Sequence, residues 1–426
     1  MELSPTAAAS STSLDAGAFA QSSNAAPAAR AGAAARVLLY SHDSFGLGHL
    51  RRTLTLAAAL ADALRDASVL IVSGNPCATQ FQLPRGVEVV KLPAVTKDDD
   101  GAYTARNLRG GLELTRELRA RLLLATFETF QPDLLIADHQ PIGLDGELLA
   151  VLRRARECGT RTILGLRDVI DDPATVASQW SHPDIREALA GLYDRVCVYG
   201  DERIFDQRVE YPIPPELAQR VEYTGYVVRD SATRRSAVGA ITRQQLLVTA
   251  GGGEDGESRI QCCLEALALG PTPWDTTVVL GPLMHPLQAR RLKRMARSLR
   301  NVRTLSFHAD LPRLLAETDV VVAMAGYNTV AEILQTRVNS VLLPRVFPRR
   351  EQLIRAERLE AAGLARSLAA PTPRTVRAAI EESLVLQRDW RRAPAMDGAD
   401  RTCAIALELL GSRAAVRSNA ARSEAR

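Results

Sequence analysis

The sequence has few aromatic residues, very few lysines and no long apolar run. Phe, Trp and Tyr make up 4% of the chain, and of its 53 basic residues only Lys91, Lys97 and Lys293 are lysines. No Lys/Arg-rich stretch is interleaved with aromatic side chains, which disfavours nucleic-acid binding. No run of about 18 apolar residues exists, so the sequence predicts no membrane-spanning segment.

Paired cysteines and calcium-type loops are also missing. None of the six cysteines forms a Cys-x-x-Cys pair, and several lie in apolar stretches, which predicts reduced core thiols of a cytoplasmic protein. Asp168, Asp171 and Asp172 follow an apolar run, and Asp98, Asp99 and Asp100 occupy a polar loop, but neither set has calcium-loop spacing. We therefore predict no essential metal ion.

The length and composition predict two globular domains between two tails. The chain has 426 residues, of which 46% are hydrophobic, enough for two cores of ordinary size. Residues 1–34 are rich in Ala, Ser and Pro, have no basic residue before Arg30 and so lack a signal-peptide pattern. We expect this segment and residues 412–426 to be disordered. The domains are predicted at 35–229 and 230–411.

Short apolar runs alternate with helix-length segments in both halves. Most are rich in Val, Ile and Leu without alternation, as is typical of strands buried on both faces. This order predicts an α/β protein with two doubly wound parallel sheets, whose ligands bind beyond the carboxyl ends of the strands. The predicted strands are Arg36–Tyr40, Ala67–Val72, Val87–Leu92, Leu134–Ala137, Thr162–Leu166, Arg195–Tyr199, Gln245–Ala250, Thr276–Leu280, Val302–Phe307, Asp319–Met324 and Ser340–Leu343.

The first strand end carries Gly46-Leu47-Gly48-His49 before a predicted helix. Arg51 occupies the position where a dinucleotide fingerprint has its third glycine, so a nicotinamide or flavin cofactor is weakly supported. The loop suits an anion at a helix start, with His49 placed as an acid or base. Asp138 ends another strand, and two interpretations stay open: it accepts a proton or holds an acceptor hydroxyl, or it caps the following turn.

In the second half the strongest local pattern is Gly326-Tyr327-Asn328-Thr329-Val330-Ala331-Glu332 after an apolar run. The pattern predicts a strand, a tight turn and a helix start, where free amides attract phosphate and Glu332 reaches sugar hydroxyls. Thr-x-x-Glu is equally a capping box, which is far commoner than a nucleotide site.

Other strand ends of this half also carry small, polar or cationic residues. Gly251, Gly252 and Gly253 follow one strand, which indicates a turn with positive φ or a close approach of a ligand to the backbone. Arg229 precedes the domain, Phe307 and His308 end a further strand, and Gln352 follows the last one. Packing of the hydrophobic core does not require polar residues at so many strand ends.

From the Gly-Leu-Gly-His loop to Gly363 the chain resembles the inverting glycosyltransferases of family 28, which include the enzyme that adds N-acetylglucosamine to the lipid-linked peptidoglycan precursor. The resemblance implies the type B fold, two Rossmann-like domains facing across a cleft, with the sugar nucleotide held mainly by the second. It covers most of the chain between the tails and is sharp only at the motifs.

The resemblance also implies residue roles. Gly46, Gly48 and His49 match the loop that faces the diphosphate and acceptor, and Arg229 matches a phosphate-contacting arginine. In the second domain Gly251 and Gly252 match a Gly-Gly-Ser motif in which Gly253 replaces serine. The further donor-site matches are Phe307 and His308 at the base, Thr329 with Gly326 and Asn328 at the phosphates, Glu332 at the ribose and Gln352 at the donor sugar.

The implied reaction is metal-independent transfer of a sugar, with inversion, from a nucleoside-diphosphate sugar, UDP being the expected nucleotide, to an unidentified hydroxyl acceptor. His49 or Asp138 is the base, and no cofactor is expected because the sugar nucleotide is a substrate. Two alternatives stay open: a nucleotide-sugar hydrolase or epimerase, and a non-catalytic sugar-nucleotide-binding protein. Arg116, Arg119 and Arg121 form either a solvated charged face or a weak peripheral contact with a membrane.

Overall fold

The first domain is built around one parallel sheet. The computed structural model describes residues 34–42, 47–64, 66–97, 103–229, 243–308 and 310–424. The sheet has seven parallel strands in the order β3-β2-β1-β6-β7-β8-β9, and a separate antiparallel pair, β4 and β5, follows β3. The strands are β1 (Arg36–Ser41), β2 (Ser68–Ser73), β3 (Val87–Lys91), β4 (Val95–Lys97), β5 (Tyr103–Ala105), β6 (Leu134–Asp138), β7 (Arg161–Arg167), β8 (Arg195–Tyr199) and β9 (Val221–Tyr223).

The second sheet has six parallel strands in the order β12-β11-β10-β13-β14-β15. Its central strands are buried on both faces because helices cover the two sides of a parallel sheet. The strands are β10 (Gln245–Thr249), β11 (Asp275–Val279), β12 (Val302–Leu305), β13 (Val320–Ala323), β14 (Asn339–Leu342) and β15 (Arg366–Ser367).

Helices connect the strands and supply the outer layers of both domains. A short π-helical turn, Ala188–Leu192, precedes β8. The α-helices are α1 (Gly48–Ala63), α2 (Gly111–Phe130), α3 (Leu149–Glu157), α4 (Pro173–Trp180), α5 (Pro183–Glu187), α6 (Gln207–Glu210), α7 (Pro215–Ala218), α8 (Glu257–Ala268), α9 (Pro286–Arg297), α10 (Leu311–Ala316), α11 (Tyr327–Thr336), α12 (Glu351–Ala361), α13 (Pro373–Val385) and α14 (Gly398–Glu424).

The predicted α/β class with two doubly wound parallel sheets is confirmed. All eleven strands predicted from apolar runs are present, with ends that differ by at most two residues. The sequence did not predict the β4–β5 pair or β15, because strands of two or three residues are too short to show a period. Among the described helices, none has the length and apolar character needed to cross a membrane.

The last helix differs from the prediction in two ways. Cys403, Ala406 and Leu409 of α14 share a buried cluster with Leu56 and Leu60 of α1, so this end of the chain packs on the first domain although we assigned it to the second. The helix also runs to Glu424, where a disordered tail was expected from residue 412. The abundant Ala and Arg there are strong helix formers, and composition alone cannot distinguish them from a tail.

Two other predictions at chain boundaries fall outside the described residues. These are the N-terminal tail, apart from Ala34, and the domain boundary near residue 230. The residues just before that boundary contact the second domain. The Tyr226 and Tyr327 rings stack with centroids 5.5 Å apart, and Val227 N donates to Tyr327 Oη at 3.0 Å.

Candidate active site

A cavity of about 810 Å³ lies between the carboxyl ends of the two sheets. The first domain contributes the start of α1 and the ends of β6 and β7, and the second contributes the loops after β10, β12, β13 and β14. The predicted site residues that line it are Gly48, His49, Gly251, Gly252, Phe307, His308, Gly326, Asn328, Thr329, Glu332 and Gln352. Residues that are distant in sequence therefore meet at one site.

His49, in the first turn of α1, is held by Asp138 at the end of β6. His49 Nδ1 lies 2.5 Å from Asp138 Oδ2. Arg52, one turn further along α1, donates to Asp138 Oδ1 from Nε at 3.0 Å and from Nη2 at 2.5 Å. Arg52 and Asp138 are buried, so the carboxylate is enclosed by one imidazole and one guanidinium.

These contacts distinguish the roles of His49 and Asp138, which the sequence left open. Burial alone would raise the pKa of Asp138, but Arg52 and His49 outweigh burial and hold its pKa well below the ordinary value. An ionised carboxylate with so low a pKa is a weak base. Burial lowers the pKa of His49, although Asp138 opposes this shift, so the ring is neutral near pH 7.

The short contact also assigns the tautomer of His49. Nδ1 lies 2.5 Å from Asp138 Oδ2 and 3.1 Å from Arg52 Nη2. Two atoms that both lack a proton repel each other at 2.5 Å, so we assign the shorter contact as the hydrogen bond, in which Nδ1 carries the proton and donates to Asp138. The other ring nitrogen, Nε2, is then the unprotonated one and is the atom that can accept a proton. Asp138 itself is not a cavity-lining residue; it supports His49 from behind. It does not cap the turn that follows β6.

The helix that follows β13 starts earlier than a capping box would require. α11 begins at Tyr327 with Gly326 as its N-cap, and no side chain caps it. The first intrahelical bond runs from Val330 N to Gly326 O at 2.9 Å, so the amides of residues 327–329 precede the hydrogen-bond ladder. The capping-box interpretation of Thr329 and Glu332 is therefore wrong. The chain has a true capping box at Thr372 and Thr375, at the start of α13.

Glu332 lies on the second turn of α11, and its side chain faces the cavity. Burial raises the pKa of Glu332 to about 7, while Arg51 across the cavity opposes the shift and Asp310 adds to it. Glu332 is half-buried and does not cap the helix, so its carboxylate is suited to accept hydrogen bonds from ligand hydroxyls.

The glycine loop after β10 lies against the start of α11. A Cβ placed on Gly251 would come 3.3 Å from Thr329 Oγ1, so the loop backbone approaches the helix closely. Gly251 and Gly253 have φ values of +63° and +97°, in the left-handed region that favours glycine. Both explanations proposed from the sequence, positive φ and close approach, therefore apply to this loop.

The remaining predicted site residues differ in how they are placed relative to the cavity. Phe307 is exposed at the cavity edge, and Gln352, at the start of α12, is buried and accepts a hydrogen bond from Arg345 N at 3.2 Å. Arg229 is exposed and is not among the described residues that line the cavity, so the structure does not bring it to the other predicted phosphate contacts. Gly46 lies outside the described residues.

Sequence reasoning missed several polar residues that the fold brings to the cavity. His42 and His139 flank His49, with ring centroids 5.3 Å and 5.0 Å from it, and Arg167 ends β7 beside them. The strand-end position of these side chains was the available signal. For Arg52 the signal was its spacing of three from His49, which places both on one helix face.

Comparison with known protein families finds a match within the second domain. Residues 246–389 match the model of the glycosyltransferase family 28 C-terminal domain. This stretch of the second domain is therefore similar to the C-terminal domain of that family. The matched residues include α11, the glycine loop and Gln352, so this wall of the cavity lies within the matched stretch.

Relatives of known sequence or structure agree with this assignment. A UDP-N-acetylglucosamine--N-acetylmuramyl-(pentapeptide) pyrophosphoryl-undecaprenol N-acetylglucosamine transferase from Paramagnetospirillum magneticum is 30% identical over 169 residues, or 38% of this chain and 45% of that protein. The match thus spans less than half of that curated relative.

Solved structures match over more of the chain. The kitacinnamycin glycotransferase superposes with a TM-score of 0.60 at 18% identity, covering 88% of this chain and 99% of that one. CalG4, the calicheamicin glycosyltransferase, gives 0.60 at 16% identity, with coverage of 88% and 98%. Acinetobacter baumannii MurG gives 0.57 at 14%, with coverage of 89% and 99%. At these identities the likeness shows the fold, which is that of type B glycosyltransferases.

The described residues contain no group of three or more His, Cys, Asp or Glu side chains arranged to hold a metal ion. Asp168 and Asp171, excluded as metal ligands from their spacing, instead contact residues of the second domain. Asp171 Oδ1 accepts from Arg350 N at 2.9 Å. Metal independence of the reaction remains a prediction.

Proposed function

We propose that the protein is an inverting glycosyltransferase that moves a sugar from a nucleoside-diphosphate sugar, with UDP as the expected nucleotide, to a hydroxyl acceptor. The observation that carries the proposal is the position of the His49–Asp138 pair. It faces, across one cavity, the uncapped start of α11 and the carboxylate of Glu332. A base and an anion-binding helix start on opposite walls are the two parts that this reaction needs.

The chemistry assigned to His49 is general base catalysis. Its Nε2 takes the proton of the acceptor hydroxyl as the oxygen attacks the anomeric carbon, and the bond from that carbon to the diphosphate oxygen breaks. Attack from the side opposite the leaving group inverts the configuration. The ionised Asp138 is a positioning residue, because it holds the His49 tautomer and stabilises the imidazolium that forms.

Negative charge develops on the nucleoside diphosphate as it leaves, and groups of the second domain are placed to stabilise that charge. The free amides at the start of α11 and the backbone of Gly251 and Gly252 supply fixed dipoles at one end of the cavity. Glu332 is assigned to the ribose hydroxyls and Gln352 to the donor sugar. In this proposal the reaction needs no cofactor, because the sugar nucleotide is itself a substrate.

The donor side is tested by binding of UDP to the full chain, measured by calorimetry. Glu332→Ala is expected to weaken UDP binding about tenfold or more, since hydrogen bonds to a charged group contribute about 1.5–3 kcal/mol. Glu357→Ala is the matched control, because Glu357 is exposed on α12 and does not line the cavity. Equal UDP affinity in wild type and Glu332→Ala would remove the donor-site assignment.

Incubation with UDP-sugars separates the proposed transferase from its alternatives. Release of UDP that requires an added acceptor supports transfer, whereas rapid release of free sugar in water alone indicates a hydrolase. Conversion of one UDP-sugar into another indicates an epimerase. UDP-sugar binding with no turnover, over a broad panel of acceptors, indicates a binding protein.

A further inference from the structure

Three buried nitrogen atoms on the first-domain side of the cavity have no hydrogen-bond partner among the described residues: His42 Nδ1, His139 Nδ1 and Arg167 Nε. All three side chains line the cavity. His42 is 5% exposed and His139 is 3% exposed. A buried polar group left unpaired costs about 1–3 kcal/mol, so three of them at one place need an explanation.

The contacts around His139 show that its unpaired atom is a donor. Arg167 Nη2 donates to His139 Nε2 at 3.3 Å, so the neutral ring carries its proton on Nδ1. His139 also has φ of +68°, a left-handed conformation that is uncommon for a residue other than glycine and that clusters at functional sites. The Nδ1–H group of the His139 ring therefore lies beside the Nε–H group of Arg167, and neither group has a hydrogen-bond partner among the described residues.

The charge of Arg167 is only partly balanced at this place, because the nearby Glu351 carboxylate forms its ion pair with Arg345. Within the described residues, the Arg167 side chain donates hydrogen bonds to His139 and to the Ile170 carbonyl oxygen, at 3.4 Å, and forms no ion pair. Burial lowers the pKa of Arg167 to about 10. The Glu351 carboxylate opposes this shift, and repulsion from nearby arginines, including Arg349, adds to it. Arg349 comes from the opposite domain, lines the same cavity and likewise has no ion-pair partner among the described residues.

The fully buried arginines nearby are neutralised. Arg52 is bound to Asp138, and Arg355 is bound to Asp168. Arg167 and Arg349 are half-buried in the cavity wall and form no such pair among the described residues, although guanidinium groups shielded from water in proteins are normally paired. An anionic ligand is the partner that this pair of residues lacks.

We propose that a carboxylate or phosphate group, separate from the donor diphosphate, binds between Arg167 and Arg349 and accepts a hydrogen bond from His139. The helix start and glycine loop already serve the diphosphate, whereas Arg167 and His139 lie on the first-domain wall beside His49. The inference rests on the proposed function only in naming the bearer of this anion, which is the acceptor or the transferred sugar. Guanidinium groups suit either anion because their paired N–H groups match two oxygens.

The test uses the full chain saturated with UDP and inorganic phosphate as the probe, with chloride at equal ionic strength as the reference. Phosphate is expected to raise the unfolding temperature of the UDP complex more than chloride does. Arg349→Gln is expected to weaken phosphate binding about tenfold, since it removes one charge-assisted contact. Arg350→Gln is the matched control and is expected to bind phosphate within about twofold of wild type, because Arg350 is exposed and contributes only its backbone N–H to Asp171.

Arg167→Leu and Arg167→Lys complete the set. The leucine variant is expected to lose phosphate binding, and the lysine variant to keep part of it, which separates loss of charge from loss of folding. Three results would overturn the inference: phosphate binding that UDP abolishes, no phosphate binding in any form, or equal losses in Arg349→Gln and Arg350→Gln. Failure of wild type to bind UDP would remove the proposed function instead, and the phosphate response of the free protein in the same variants would still test the anion site.

A second pair of measurements distinguishes the two bearers of the anion. If the transferred sugar bears it, UDP-glucuronate binds more tightly than UDP-glucose, and Arg349→Gln removes the difference. If the acceptor bears it, the two donors bind alike and phosphate still binds to the UDP-glucose complex. Either result supports the site and identifies its source; equal binding of the donors with no phosphate response contradicts it.

Discussion

Asp168 in the first domain and Arg355 in the second form a buried bidentate ion pair. Arg355 donates from Nε to Asp168 Oδ2 at 2.8 Å and from Nη2 to Oδ1 at 2.6 Å. The side chains are 2% and 0% exposed, and Tyr226 Oη donates to the same carboxylate at 2.8 Å. Because the pair joins the two walls of the cavity, it links stability to the geometry of the site.

Replacing one member of this pair is expected to destabilise the protein strongly. Arg355→Met leaves the Asp168 carboxylate buried without its cation, which costs about 3–5 kcal/mol of the free energy of unfolding. Urea denaturation followed by circular dichroism measures the change. Arg358→Met is the control on the same helix, since its ion pair with Glu210 is partly exposed and is expected to matter by less than about 1 kcal/mol. Equal effects of both substitutions would contradict the assigned role of the buried pair.

Removing the imidazole of His49 is expected to abolish most turnover while donor binding survives. A positioned general base contributes about 10²–10⁴ in rate, so kcat of His49→Ala should fall by that factor. UDP affinity is expected to stay within about threefold, because the base acts on the acceptor and not on the nucleotide. Steady-state kinetics and calorimetry on the same preparation check both parts. Full activity in His49→Ala would remove the catalytic proposal.

The pH profile of turnover reports on the same residue. The base works when neutral, and burial lowers its pKa below the ordinary 6.5, so activity should persist into mildly acidic solution and fall as the pH drops through that lowered pKa. The acidic limb of the profile for kcat is therefore expected below pH 6.5. A limb above pH 7 would show that a different group limits the rate.

Binding of the donor nucleotide is expected to depend on pH through Glu332. Burial raises the pKa of Glu332 to about 7, and ribose hydroxyls donate to the ionised carboxylate, so affinity should be full above that pH and weaken as the pH falls through it. UDP-glucose is the suitable probe, because its diphosphate has no ionisation in this range. Calorimetry from pH 5.5 to 8.5 is expected to show the trend in wild type, and Glu332→Gln should bind more weakly with a flat profile. A sloping profile that persists in Glu332→Gln would assign the dependence to another group.

The third glycine of the loop after β10 is expected to be irreplaceable. Gly253 has φ of +97°, and a Cβ there would lie 2.6 Å from Leu280 O. Gly253→Ser, which restores the residue type of the resembled motif, should therefore lower the free energy of unfolding by about 1–3 kcal/mol. Gly252→Ser is the control: it lacks positive φ, its nearest contact is 3.6 Å away, and its effect should stay within about 0.5 kcal/mol. A stable Gly253→Ser protein would show that the loop adopts another conformation.

Much of the fold follows from local sequence. Unbroken Val, Ile and Leu runs such as Val320–Ala323 predict buried parallel strands, and parallel pairing places every strand's carboxyl end on one edge. From this rule alone, His49, Gly251 and Glu332 are expected at the carboxyl ends of their sheets, before any contact is known. It does not fix where a helix starts, and α11 begins two residues before Thr329, which changes the interpretation of Glu332.

The sequence by itself determined the two doubly wound sheets and which strand ends carry polar residues, because periodicity and chain order set both. Tertiary structure alone decided that His49, and not Asp138, is suited to be the base, since the pKa of each depends on burial and on Arg52. It also decided that Arg167 and Arg349 line one cavity without an ion-pair partner among the described residues and that α14 returns to the first domain. These properties depend on which charges and apolar faces come together across long stretches of chain, and no local pattern records that.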